Sequence, residues 1–173
     1  MSIEKIKKAI RDVPDFPVKG IIFKDITPIL ADPKLFRASL DVLAKKLKAA
    51  KVTKIAAIDA RGFIFGGALA DRLKIGFVPI RKKGKLPYKS YTESYKLEYG
   101  SATLTIHIDA FKKGEKVAII DDLLATGGTA AATAKLVKKA GGKVAAILFL
   151  VELGFLNGRA RLKGYDVFAP IVY

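Results

Sequence analysis

The chain has no cysteine, no tryptophan and no glutamine, one methionine, one asparagine and one histidine, His107. Without cysteine there is no disulfide, no thiolate nucleophile and no thiolate metal site. A single imidazole excludes a metal centre built on several histidines. Long apolar runs are missing too. The longest, Val144–Val151, has the length of a strand and falls far short of the roughly 20 residues that span a bilayer. Ser2–Ile10 has helical spacing with interleaved charge and no secretory apolar core, so the cytosol is the expected compartment. The shortage of thermolabile residue types fits a heat-adapted source or a restricted residue alphabet, and bears on stability or origin more than on chemistry.

What is present describes one globular domain. A chain of 173 residues buries most of its apolar surface in a single core, and 51% hydrophobic with 28% charged residues is a soluble balance. The net charge of +16 raises the question of nucleic acid. Its distribution answers it: basic against acidic residues number 13 and 6 over 1–58, 9 and 5 over 59–111, and 10 and 5 over 112–173. An evenly spread surplus is solvated surface, and no specific nucleic-acid partner is expected.

Apolar runs of strand length alternate with helical spacing. Ile21–Phe23, Lys54–Asp59, Phe77–Ile80, Ala102–Ile106 and Val144–Leu150 read as strands. Pro33 opens a helix whose apolar positions Phe36, Leu40, Leu43 and Leu47 keep a core-facing period. Phe63–Leu73 is a small-residue helix in which Gly66 and Gly67 permit close packing. Val13–Gly20 is a turn-rich break, and Lys82–Ser94 reads as a long mobile loop. Such alternation implies an α/β fold, with a mostly parallel twisted sheet flanked by helices.

The most informative stretch is Asp121-Asp122-Leu123-Leu124-Ala125-Thr126-Gly127-Gly128-Thr129, between the apolar Val117–Ile120 and the helix-forming Ala130–Val137. A strand here delivers two carboxylates at its carboxyl end, where open α/β sheets bind ligands. The small-residue turn lets backbone N–H groups close on a phosphate, and the following helix adds its unpaired N–H groups and positive dipole end. Adjacent acids repel phosphate but accept hydrogen bonds from sugar hydroxyls. The segment reads as a ribose-5-phosphate cradle. It is neither a P-loop nor a dinucleotide loop, because Thr129 stands where the lysine would be and no Gly-x-Gly-x-x-Gly follows a strand.

These nine residues resemble the signature of phosphoribosyltransferases that use phosphoribosyl pyrophosphate. Phe16–Pro28, Asp59-Ala60-Arg61-Gly62-Phe63, and Arg81–Pro87 followed by Ser94–Gly100 resemble, in order, stretches of the adenine phosphoribosyltransferases; so do Val151-Glu152-Leu153 and Tyr165-Asp166-Val167. The resemblance runs from about residue 3 to Tyr173.

The resemblance implies a purine salvage enzyme that joins adenine to phosphoribosyl pyrophosphate, giving AMP and pyrophosphate. It implies one domain over 1–173, with a small hood from about 1–30 and 152–173, a flexible loop over about 82–100, and a homodimer. Ala125, Thr126, Gly127, Gly128 and Thr129 would hold the 5-phosphate, and Asp121 and Asp122 the ribose. Ala60, Arg61 and Gly62 would meet pyrophosphate, with an Ala60–Arg61 cis peptide and with Arg81 and Lys85 as further cations. Phe23 would stack on adenine, with Ile22, Lys24 and Leu153 around it. Glu98 would handle the proton on the base, Tyr99 would close over the ribose, and Lys82 and Lys83 would stay solvated. Mg2+ would be held mainly through the substrate, with no metal cage in the protein. A different purine, a sensor of phosphoribosyl pyrophosphate built on the same fold, and an altered chain that folds but has lost activity are the competing readings.

Overall fold

A computed structural model describes residues 1–96 and 100–173. The chain divides into two compact units, Met1–Val42 and Leu43–Tyr173. In the first unit, α1 (Ile3–Lys8) starts at Ser2, whose hydroxyl accepts the Lys5 N–H at 3.3 Å. Strands β1 (Arg11–Pro14) and β2 (Ile22–Asp25) form an antiparallel pair that sets Arg11 opposite Asp25. The side chains of these two residues form an ion pair at 2.6 Å. The turn-rich break expected from Val13 therefore begins two residues late, at Asp15, because Val13 and Pro14 still belong to β1. Helix α2 (Thr27–Ala31) follows, and α3 (Pro33–Ala50) runs across the division between the units. The expected α3 stripe is buried at Leu40, Leu43 and Leu47.

The second unit is built on a seven-stranded sheet. In chain order its first elements are β3 (Lys54–Ile58), α4 (Arg61–Leu73), β4 (Gly76–Lys82), β5 (Ser90–Lys96), β6 (Ser101–His107) and β7 (Lys116–Ile120). Then come β8 (Leu123–Leu124), α5 (Gly128–Lys139), β9 (Lys143–Leu148), β10 (Val151–Glu152), two 3-10 turns at Gly154–Leu156 and Gly158–Leu162, β11 (Val167–Phe168) and β12 (Ile171–Val172). The large sheet is ordered β11-β9-β7-β3-β4-β6-β5. Pairing is parallel from β11 to β4 and antiparallel through β6 and β5. The mostly parallel α/β sheet flanked by helices is as expected.

After an opening lysine, Lys54 in β3 and Lys116 in β7, the central strands are apolar to their ends because helices cover both faces. Ile55, Ala56, Ala57, Val117, Ala118, Ile119 and Ile120 are fully buried. Each such isoleucine contributes about 1.5–3 kcal/mol in burial. Close helix–sheet contact demands small residues: a Cβ on Gly66 of α4 would lie 2.5 Å from that of Ala57. On α5 the inward positions include Ala130, Ala134, Leu136 and Val137.

The order of strands carries the functional consequence. The β3–α4–β4 crossover moves to one side, and β7–α5–β9 moves to the other, while β3 and β7 lie side by side. The topological switch point is therefore between the carboxyl ends of β3 and β7, where open sheets leave a ligand crevice.

One stretch departs from the sequence expectation. Within the expected loop from Lys82 to Ser94, β5 begins at Ser90 and pairs with β6 over its full length, from Ser90 opposite His107 to Lys96 opposite Ser101. The composition of β5 hid it. Ser90–Lys96 is an edge strand held by ladder hydrogen bonds and by polar contacts to α5, so it carries no apolar alternation to read. The two-residue strands β8, β10 and β12, which form a small parallel sheet, were too short to leave a pattern.

Candidate active site

Strand β7 ends at Ile120, and Asp121 stays in the ladder by donating its N–H to the Leu148 carbonyl at 3.1 Å. Strand β8 and a short turn then lead into α5, which starts at Gly128 with no side chain capping it. An uncapped helix start leaves its first-turn N–H groups for a ligand, and the dipole favours an anion there. Gly127 sits at φ +80°, and a Cβ on it would fall 2.4 Å from the Gly158 carbonyl oxygen. Only glycine meets both conditions at low cost. The turn borders a cleft of about 70 Å3 that also touches Asp121 and Phe149. On its outer side the Thr129 hydroxyl meets the Tyr95 hydroxyl at 2.9 Å.

The two acids differ sharply. Asp122 is buried, and its carboxylate forms an ion pair with Arg61 from the first residue of α4. Asp121 opens partly to the cleft. Burial first, and then the adjacent Asp122 charge, push its carboxyl well above the usual carboxylate range. The Asp122 N–H, which donates to Asp121 Oδ1 at 2.9 Å, and the Arg61 charge oppose that shift without cancelling it. Asp122 is thus held in an ion pair with Arg61, and Asp121 resists ionisation.

Across the switch point, Asp59 follows β3 as Asp121 follows β7. Its carboxylate accepts the Arg81 Nε–H at 2.8 Å, and Arg81 also donates to the Lys85 carbonyl at 3.0 Å. Gly62 lets the start of α4 approach β7, because a Cβ there would lie 2.8 Å from the Ile120 oxygen and 3.0 Å from Asp121 Oδ1. The cis peptide in this loop joins Asp59 to Ala60, one bond earlier than the expected Ala60–Arg61. Neither pair contains proline, so no local sequence signal locates such a bond. The start of α4 therefore meets the end of β7 at Asp121 and Asp122, and Asp121 in turn borders the cleft at the turn 125–129.

Residues 25–167 match the model of the phosphoribosyl transferase domain. The chain is 56% identical over 173 residues to the adenine phosphoribosyltransferase of Caldanaerobacter subterraneus subsp. tengcongensis, with all of both chains covered. The chain belongs to the adenine phosphoribosyltransferase family. The Thermosipho melanesiensis member is 57% identical over 169 residues, 98% of this chain and 97% of that one. The crystal structure of the Thermoanaerobacter pseudethanolicus family member superposes with a TM-score of 0.96 at 55% identity, covering 99% of this chain and 100% of that chain. The Saccharomyces cerevisiae member, solved with adenine and D-2,5-dideoxy-2,5-imino-altritol 1,6-bisphosphate, superposes with a TM-score of 0.93 at 40% identity, covering 97% of each chain.

Of the residues singled out in the sequence, the structure brings together Arg61, Gly62, Asp121, Asp122 and the turn 125–129. Arg81 and Lys85 join through Asp59 at the end of the neighbouring strand. Lys82 and Lys83 are exposed, as a solvated pair should be. In the first unit, Ile22 is exposed, Phe23 packs edge-on against Phe16 at 5.2 Å, and Lys24 pairs with Asp12 at 2.7 Å. In the second unit, Leu153 follows β10 and donates its N–H to the Leu124 carbonyl at 2.9 Å. Glu98 and Tyr99 lie outside the described residues.

Three residues at the site went unassigned in the sequence. Asp59 was legible, since it follows an apolar strand just as Asp121 does. In the sequence Tyr95 reads only as part of a motif, and Gly158 carries no signal. A Cβ on Gly158 would lie 2.1 Å from the Ala125 oxygen, a contact between residues distant in sequence.

Proposed function

We propose that this chain transfers the 5-phosphoribosyl group of phosphoribosyl pyrophosphate to adenine, giving AMP and pyrophosphate in purine salvage. The observation that carries this reading is the meeting, at the switch point, of an uncapped phosphate-sized turn and an arginine–aspartate pair. The two ends of one doubly anionic substrate need such a pair of sites.

In the reaction the C1–O bond to pyrophosphate breaks as the N9–C1 bond to adenine forms, through a transition state with oxocarbenium character at the sugar. The turn at Ala125, Thr126, Gly127, Gly128 and Thr129 would hold the 5-phosphate through backbone N–H groups and hydroxyls. Asp121 and Asp122 would accept the ribose hydroxyls, and the Asp122 charge would favour the developing positive ring. Arg61, with Arg81, Lys85 and the backbone of Ala60 and Gly62, would neutralise the leaving pyrophosphate. The half-exposed Arg61 side chain supports this, since it can face a ligand while keeping its buried partner. Adenine would stack on Phe23 of the first unit, with Ile22 and Lys24 beside it. Glu98 is the proposed acceptor of the adenine proton, and Tyr99 the proposed cover of the ribose.

Mg2+ belongs to this reading as a substrate-borne ion. Asp121 resists ionisation and Asp122 is committed to Arg61, and no cluster of three metal-binding side chains occurs among the described residues. That donor set suits an ion carried by pyrophosphate oxygens and water, where it would neutralise charge on the leaving group. The same reading takes the enzyme to act as a homodimer in the cytosol. No helix among the described residues is long and apolar enough to cross a membrane.

The test is AMP formation from phosphoribosyl pyrophosphate and Mg2+ with adenine, hypoxanthine and guanine offered separately. Product from adenine alone, lost in an Asp121→Asn/Asp122→Asn variant, is expected. Product from another base, or none from any base, would overturn the assignment.

A further inference from the structure

We propose that Tyr95 and Glu93 of β5 are positioning residues for the phosphate turn, Tyr95 by orienting the Thr129 hydroxyl and Glu93 by strapping β5 to α5. The proposal rests on the reading that residues 125–129 hold the 5-phosphate.

Residues two apart on a strand share a face, and in β5 both Glu93 and Tyr95 face α5. The Tyr95 hydroxyl lies 2.9 Å from Thr129 Oγ1. Its ring covers the first turn of the helix, since a Cβ on Gly128 would come 3.1 Å from Tyr95 Cδ2. Further along α5, Glu93 receives Lys135 Nζ at 3.1 Å and Lys139 Nζ at 2.5 Å. Lys139 also donates to the Thr92 carbonyl at 3.2 Å, which ties the strand backbone itself to the helix. The two lysines stand four residues apart, one above the other on the helix surface, so a single carboxylate reaches both.

The Tyr95–Thr129 bond matters because of how a hydroxyl divides its valences. Threonine has one proton to donate and two lone pairs to accept. When the Tyr95 O–H donates to Thr129 Oγ1, the threonine's own proton is left free for a phosphate oxygen. Without Tyr95 the Thr129 hydroxyl can turn elsewhere, and its alignment must be imposed when substrate binds. That loss falls on binding of phosphoribosyl pyrophosphate and not on adenine. An isolated exposed ion pair would hold β5 poorly. One carboxylate shared by two lysines, with a backbone bond beside it, forms a network that places Tyr95 over the turn.

The experiment measures kcat, KM for both substrates, and binding of phosphoribosyl pyrophosphate by calorimetry. The variants are Tyr95→Phe, Glu93→Gln, Thr129→Val and Tyr95→Phe/Thr129→Val, with thermal unfolding of each as a control on folding. Thr129→Val is expected to raise KM for phosphoribosyl pyrophosphate about tenfold, and Tyr95→Phe about three- to tenfold, the scale of one hydrogen bond. The double variant should match Thr129→Val alone, because the two residues act as one unit. The adenine KM should move by less than about twofold, as expected for a site not shared with the base. Glu93→Gln should act in the same direction at low salt, and the difference from the parent should vanish at high salt. If Thr129→Val leaves KM and binding unchanged, the phosphate reading at this residue falls and takes the proposal with it. If Thr129→Val acts while Tyr95→Phe is silent, is additive with it, or affects both substrates equally, the proposal alone is overturned.

Discussion

Arg61 and Asp122, separated by 61 positions in the chain, form the ion pair that joins the start of α4 to the end of β7. The two ends are not equivalent: the Arg61 side chain is 46% exposed and the Asp122 side chain 6%. Removing the arginine strands a buried charge, whereas removing the acid leaves a cation that water can solvate. Arg61→Ala is therefore expected to lower folding stability by about 1–2 kcal/mol, the cost of breaking a buried pair reduced for the half-exposed partner. Asp122→Asn should cost less. Urea unfolding of both variants checks the order, and equal losses would contradict it.

Asp121 yields a prediction of opposite sign. Its folded pKa lies above its ordinary value of 3.8, so the folded state holds the proton more tightly than the unfolded state. Stability linked to this group is full below that ordinary value and is lost as pH rises through the raised folded pKa. Asp121→Asn, which cannot ionise, should then raise the melting temperature near neutral pH and lose its advantage in strong acid, while catalysis falls. Melting curves from pH 3 to pH 8 check the sign.

Glu115 behaves in the reverse sense. Burial works to raise its carboxyl, but the Lys112 N–H at 2.8 Å and the Lys54 ammonium at 3.2 Å outweigh burial and hold it below the ordinary 4.5. Its contribution is present above pH 4.5 and fades as pH falls through the lowered folded pKa. Glu115→Gln should be less stable than the parent at pH 7, and the gap should close in acid. A gap that stays constant with pH would count against the assignment.

The contact between the phosphate turn and Gly158 makes a steric prediction. A methyl group at residue 158 would sit 2.1 Å from the Ala125 oxygen, which belongs to backbone and cannot swing away. Gly158→Ala should cost about 1–3 kcal/mol as an overpacking change. It should also raise KM for phosphoribosyl pyrophosphate, because the turn must shift to admit the methyl. A stable variant with unchanged KM would show that the turn tolerates displacement.

The sequence by itself determined the elements and the chemistry of the loops. Apolar runs such as Val117–Ile120, the small-residue turn after two acids, and the loop at Asp59–Phe63 are local patterns, and local patterns survive in one dimension. The parallel α/β class follows from their alternation. Tertiary structure alone decided which loops meet. The adjacency of β3 and β7 brings Arg61 to Asp122, the pairing of β3 with β4 brings Arg81 to Asp59, and no spacing in the chain encodes those distances. It also decided that, of two adjacent aspartates, Asp122 pairs with Arg61 while Asp121 is pushed above the usual carboxylate range, because burial and the reach of Arg61 are properties of the packed molecule. Strand β5 shows the same division. Its residues read as a loop, and it became a strand because β6 supplied the hydrogen bonds and α5 the charges that its own side chains lacked.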